Sequence, residues 1–232
     1  MRINTVKKGV FYTEISYFLG LIIMAFAAAF TEKADFGMSM VVAPAYIIHL
    51  KLSEILPWFS FGVAEYFFQG ILIIITVIIM RRVKLCYFFS FITAVIYGTL
   101  LDGAMYLVSS LPEESFLIRI FWYVLGTVLC SLAVSLFFHT YLSPEAYELI
   151  VKELAGKFSL NINKVKTAYD CFSTVVGTAL SFAFFGFGVF EGIKWGTVIC
   201  ALLNGFLIGR FSRLLESYFS FENKFKIEKY FK

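Results

Sequence analysis
Glu65, Asp102 and Asp170 are acidic residues set inside apolar runs long enough to cross a bilayer. A carboxyl at the centre of such a helix costs about 2.5–3.5 kcal/mol on insertion, so it normally faces the bundle interior and marks an ion or proton path. Glu65 stands about two turns from one end of its run. Asp102 reaches a comparable depth in the next run, so the two are expected to meet. Asp170 lies about two turns in from the opposite surface. Two carboxyls close together would push one pKa upward and create a protonatable site. Gln69, one turn after Glu65 on the same face, and Asn204 would extend a polar lining. Helix–helix hydrogen bonding is the alternative role for both. Each acid also has a plainer reading, as a snorkelling or capping residue near a helix end.

Other chemistries find no support. The sequence contains no HExxH, GxSxG or Walker pattern and no Ser/His or Asp/Asp arrangement for an intramembrane hydrolase, so it reads as a non-enzyme without a cofactor. Cys86, Cys130, Cys171 and Cys200 fall within apolar runs with no CxxC spacing, as buried reduced thiols would. His49 and His139 stand alone near opposite interfaces, with no metal-ligand spacing. Glu14, beside Tyr12, Thr13 and Ser16, is expected to be solvated at the inner boundary. Trp58, Trp122, Trp195, Tyr87 and Tyr106 mark span ends as an aromatic belt.

The elements that position these residues are transmembrane helices. The chain of 232 residues is 60% hydrophobic and 16% charged, with apolar blocks of the length that spans about 30 Å of hydrocarbon. No strand-like alternation is present, which excludes a β-barrel. The fold class is an all-α polytopic membrane protein with six spans, near 11–30, 59–80, 85–109, 117–138, 164–185 and 195–215. The basic N-terminus reads as the start of a retained first span, not a cleaved signal. Sixteen of the 20 Lys and Arg residues fall on the side that holds both termini. Lys33, Lys51, Arg119 and Lys194 fall on the other, which places the termini in the cytoplasm. The net charge of +4 therefore reflects topology and anionic lipid, not nucleic acid. Two segments are too short to cross. Residues 39–55 read as a re-entrant or interfacial helix capped by Ser39, and 143–158 as a helix at the interface or beneath the bundle, with Ser143 as N-cap and Pro144 at its first position.

The two halves share landmarks. "YFLG" at 17–20 recurs as "YVLG" at 123–126, and "AYIIHLK" at 45–51 as "AYELIVK" at 146–152. Ser39 pairs with Ser143, Glu65 with Asp170 and Gly98 with Gly205, all at offsets near 105. A duplication gives two three-span repeats, 1–110 and 111–216, and a basic tail, 217–232. An odd number of spans per repeat requires opposite orientations, an architecture recurrent in secondary transporters.

The chain resembles the YczE/YyaS/YitT-like group of bacterial integral membrane proteins. The likeness lies in "FTEKADFGMSM" (30–40), "GTLLDGAMYLV" (98–108) and the closing "FGFGVFEGIKWGTVICALLNGFLIGRF" (185–211). It departs at Met40, where the group carries proline, and at Phe182, Phe184 and Phe185. The resemblance implies a bacterial cytoplasmic membrane and supplies no substrate. The expected activity is ion- or proton-coupled transport of a small solute. Gly37 and Ser39 form a further candidate site, where Gly37 permits a tight turn and the amides from Gly37 to Met40 face an anionic group. The alternative is an accessory, sensory or substrate-capture protein that docks a membrane partner or a second copy. Ala25 and Ala29 would then supply a small-residue face, although packing within the chain is the default for them and for the GxxxG of "GFLIG" at 205–209.

Overall fold
The computed structural model describes residues 9–142 and 145–225, apart from the side chain at position 163. Six long helices carry the apolar runs: α1 (Thr13–Ala34), α3 (Phe61–Met80), α4 (Leu85–Ser109), α5 (Phe116–Phe137), α7 (Ile162–Phe185) and α8 (Trp195–Tyr218). Two short helices interrupt them, α2 (Ala43–Ser53) and α6 (Ala146–Lys157). All six long helices have the length and hydropathy to cross a membrane. The chain ends meet in a parallel pair of short strands, β1 (Gly9–Tyr12) and β2 (Phe219–Glu222), in register from Gly9 with Phe219 to Tyr12 with Glu222. Both ends of the described chain therefore lie on one side, here called the terminal end.

Helix boundaries follow local chemistry. Ser60 caps α3 by accepting from the Val63 N–H, the side-chain oxygen standing in for the missing turn of carbonyls. α1 continues four residues past its apolar run, since Lys33 reaches the Ser109 carbonyl and pairs with Glu113 at 3.0 Å. It stops at Asp35, whose φ of 54° is left-handed, and Gly37 follows at φ 102°. The expected cap at Ser39 is not made by its hydroxyl. Its carbonyl accepts from the Val42 and Ala43 amides, and α2 begins with Pro44 in its first turn. Ser143 and Pro144 lie outside the described residues.

α1 and α5 run antiparallel through the centre. Ser16 near the start of α1 donates to the Leu136 carbonyl at the end of α5, and Arg119 near the start of α5 reaches the Ala34 carbonyl. Between membrane helices the drive is close packing, because lipid is as apolar as leucine. A Cβ on Gly20 would strike the Phe137 ring, and one on Gly126 would strike Thr31 and the Ala27 carbonyl. Ala25 and Ala29 are buried in this same core, which leaves neither for docking another protein.

The remaining helices pair in a regular way. α4 packs on α1 as α8 packs on α5, while α2 and α6 each bridge α3 and α7. Two relations are unequal: α4 also touches α6 with no comparable contact of α8 on α2 among the described residues, and α3–α4 differs from α7–α8. α3 and α4 are pressed together at the end opposite the chain termini, where a Cβ on Gly62 would overlap the Gly98 carbonyl. α7 and α8 scarcely touch, and nothing lies within 4 Å of where a Cβ on Gly205 or Gly209 would stand. The GxxxG of α8 thus packs against nothing within the described chain, contrary to expectation. Nor is α6 a surface helix. Tyr147, Leu149, Ile150, Val151 and Glu153 are all buried between α3 and α7.

Candidate functional site
The most unusual chemistry lies where α6 begins against the middle of α3. Glu65 is fully buried, and its Oε2 accepts from the Tyr147 hydroxyl at 2.8 Å and from the Gln69 amide at 3.2 Å. The same Gln69 nitrogen lies 3.4 Å from Oε2 of Glu145, the N-cap residue of α6. Gln69 is held in place because its own Oε1 accepts from the Ala146 N–H at 3.1 Å. One amide thus serves two acids. Oε1 of Glu65 and Oε1 of Glu145 are both buried without a hydrogen-bond partner. Among the described residues, no Lys, Arg or His comes within 4.0 Å of either carboxyl. Burial first, and then the charges of Glu148 and Glu65, holds the Glu145 carboxyl well above the usual carboxylate range, against the pull of Gln69 and Lys166.

Glu65 and Gln69 were visible in the sequence because they lie in an apolar run at helical spacing. Glu145 was not, since it opens a segment expected at the interface or beneath the bundle. The available signal was the length of α6. Its apolar face, on a helix too short to span, has to be buried inside, and the residue that opens the helix goes with it.

The other candidates separate. Asp102 does not join Glu65. Its two oxygens accept from the Ser60 hydroxyl at 2.5 Å and the Gly62 N–H at 2.8 Å, sealing the start of α3 to α4. Asp170 pairs with Lys166 at 3.2 Å, one turn earlier on α7, and Lys166 also approaches Glu148 at 3.8 Å. Asn204 accepts from Ser131 at 2.9 Å and ties α8 to α5. At the Gly37 site, the Met38 amide is taken by the Gly192 carbonyl, and Phe36 accepts from Gly196. The amides expected to face an anion are therefore partly used by the protein. Gly37 and Ser39 help line a cavity of about 30 Å³ with Met24, Tyr97 and Tyr123, room for a water or two and no organic solute.

Glu14 is buried, not solvated. It accepts from the Tyr141 hydroxyl and from the Lys224 and Phe225 amides, so it anchors the C-terminal segment. His49 contacts the Phe59 carbonyl, and His139 pairs with Glu216 and stacks on Phe221. Cys200 is buried as expected, whereas Cys171 is exposed on α7, and no two cysteines are bonded.

Six spans, two buried short helices and an acidic pair in their midst define a multi-pass helical membrane protein in contact with lipid. The chain belongs to DUF6198, a family of unknown function whose profile matches residues 11–213. No curated protein and no solved structure matches it.

Proposed function
We propose that this protein is a non-enzymatic secondary transporter of a small solute, working by alternating access between inverted halves, 1–110 and 111–216. The observation that carries this reading is the pairing of the helices. Exchanging α1 to α4 for α5 to α8 preserves the α1–α5 contact and converts α1–α4 into α5–α8. It also converts α2–α7 into α6–α3, and α2–α3 into α6–α7. Single contacts follow the same rule. Gly20 against Phe137 becomes Gly126 against Thr31 under the 106-residue offset of "YFLG" and "YVLG". Two pairs break the rule: α4–α6 has no comparable α8–α2 counterpart among the described residues, and α3–α4 is shut at one end where α7–α8 stand apart, the pair a transporter would move. Inverted repeats that exchange conformations across a central site are the recurrent device of secondary transport.

The Lys/Arg distribution supports cytoplasmic termini. The resemblance to the YczE/YyaS/YitT-like group supports a bacterial cytoplasmic membrane. The open α7–α8 seam then faces the cytoplasm. The test is a solute-flux screen in proteoliposomes under imposed proton and sodium gradients, comparing wild type with Glu65→Gln. Uptake lost in the variant supports the reading, and no flux of any solute class under any gradient refutes it. A docking protein is the second reading, favoured by the open face of α8, where Leu202 and Phe206 are exposed and a Cβ on Gly205 or Gly209 would meet nothing among the described residues. A stoichiometric membrane partner or a dimer cross-linked through Gly205→Cys, with no flux, would establish it instead.

A further inference from the structure
We infer that the Glu65–Glu145 pair, bridged by the Gln69 amide, is a proton-binding site that holds one exchangeable proton on one of its two carboxyls. Both side chains are more than nine-tenths buried, and each keeps one oxygen with no partner. They share a single donor, the Gln69 amide, and have no cation beside them among the described residues. Two ionised carboxylates in such a place repel one another and lack the solvation each requires. A single proton relieves this. It cancels one of the two charges and with it the repulsion and part of the solvation the buried pair lacks. The proton enters from water and leaves to water, with no other bond changed.

A metal ion fits less well. Hard cations take about six or more oxygens, while Gln69 and Tyr147 already occupy the two Oε2 atoms and the Gln69 oxygen is held by Ala146. No group of three potential metal-ligating side chains occurs among the described residues.

The groups facing the pair come from every neighbouring helix. Tyr147 and Glu148 lie on α6, Tyr97 on α4, Tyr17 on α1 and Cys130 on α5. From α7 come Lys166 and Tyr169. Lys166 is the sole cation of this set and is engaged by Glu148 and Asp170. Glu148, Lys166 and Asp170 are each about a third exposed. The site's use in coupling rests on the transporter reading, but its protonation does not.

The test is an infrared pH titration of the intact protein in nanodiscs without any solute, following the C=O stretch of protonated carboxyl groups. Wild type should show a protonated carboxyl at pH 7. In Glu65→Gln the remaining Glu145 loses a charged neighbour, so its titration midpoint should fall, and Glu145→Gln should change the band. The double variant should lose the band. A wild-type spectrum with no protonated carboxyl at pH 7 overturns the inference, and needs no variant to fold. So does a band that none of the variants moves. Thermal stability that rises with sodium in place of choline at fixed pH, in wild type but not in the double variant, would make this a metal site and also overturn it. A proton that titrates as expected in a protein with no flux would sink only the transporter reading.

Discussion
Asp102 was expected in an ion path, and the structure gives it a mechanical task that can be measured. Its two oxygens hold the Ser60 hydroxyl and the Gly62 N–H, at the point where α3 and α4 meet backbone to backbone. Hydrogen bonds to a charged group are each worth about 1.5–3 kcal/mol. Asp102→Asn keeps one acceptor oxygen, replaces the other with a donor and removes the charge, so it forfeits one such bond. Asp102 is half-buried, and water recovers part of the loss. The expected cost is therefore the lower part of that range, about 1.5–2 kcal/mol. For a chain of this size, each kcal/mol lowers Tm by about 2–4 °C, so Tm should fall by about 3–8 °C. The assay is thermal unfolding in nanodiscs of wild type, Asp102→Asn, Ser60→Ala and the double variant. Ser60→Ala removes the same bond from the other side, so the double variant should fall well short of the sum of the singles. Stability unchanged to within about 0.5 kcal/mol would refute the capping role. So would an Asp102→Asn variant that loses the protonated carboxyl expected of Glu65 and Glu145, because Asp102 would then belong to the acid site.

Three further outcomes follow from particular contacts. Glu153 pairs with Lys84 and Arg82 of the α3–α4 turn; although burial opposes its ionisation, hydrogen bonds from Lys84 and Arg82 and the charge of Lys84 hold its carboxyl below the ordinary range. Its stabilisation is thus present above the ordinary carboxylate pKa and lost as pH falls through the folded value. Glu153→Gln should cost about 1–2 kcal/mol at neutral pH and less in acid, as a pH series of unfolding midpoints would show. Glu145 has the opposite sign, since its raised carboxyl favours the fold below the ordinary carboxylate pKa and ceases to do so as pH rises through the folded value. Wild type should therefore lose more stability than Glu145→Gln as pH rises above the ordinary carboxylate pKa. Gly126→Ala drives a methyl into Thr31 and the Ala27 carbonyl and should cost about 1–3 kcal/mol, whereas Gly209→Ala meets open space and should leave stability unchanged or slightly raised.

The spans were legible to within a few residues because hydrocarbon thickness fixes their length and each run has a marked end, such as Ser60 before α3 or Lys84 before α4. Glu65 and Gln69 were legible because polar residues one turn apart in an apolar helix share a face. What the residues left hidden depends on relations between helices. The sequence sets Asp102 at the depth of Glu65, but only the rotation of α4 against α3 turns it toward Ser60. Glu14 read as solvated because nothing nearby announces that Lys224 and Phe225 fold back onto it. Glycines were the least informative, as Gly98 and Gly205 look alike in sequence, yet one is pressed against α3 and the other faces open space.

The central claim is that the two halves exchange conformations, and paired spin labels measure it most directly. With the other native cysteines replaced, one pair would join Cys171 on α7 to Leu214→Cys on α8, both exposed, toward the terminal end. A second pair, Trp58→Cys and Tyr106→Cys, would span the opposite end beside the α3–α4 seam, again at exposed positions. In nanodiscs titrated between pH 5 and 9, each pair should show two distance populations. The α7–α8 distance should shorten in the same fraction of molecules in which the α3–α4 distance lengthens. A single unchanging distance at both seams, or one seam moving while the other stays fixed, would contradict alternating access between the halves.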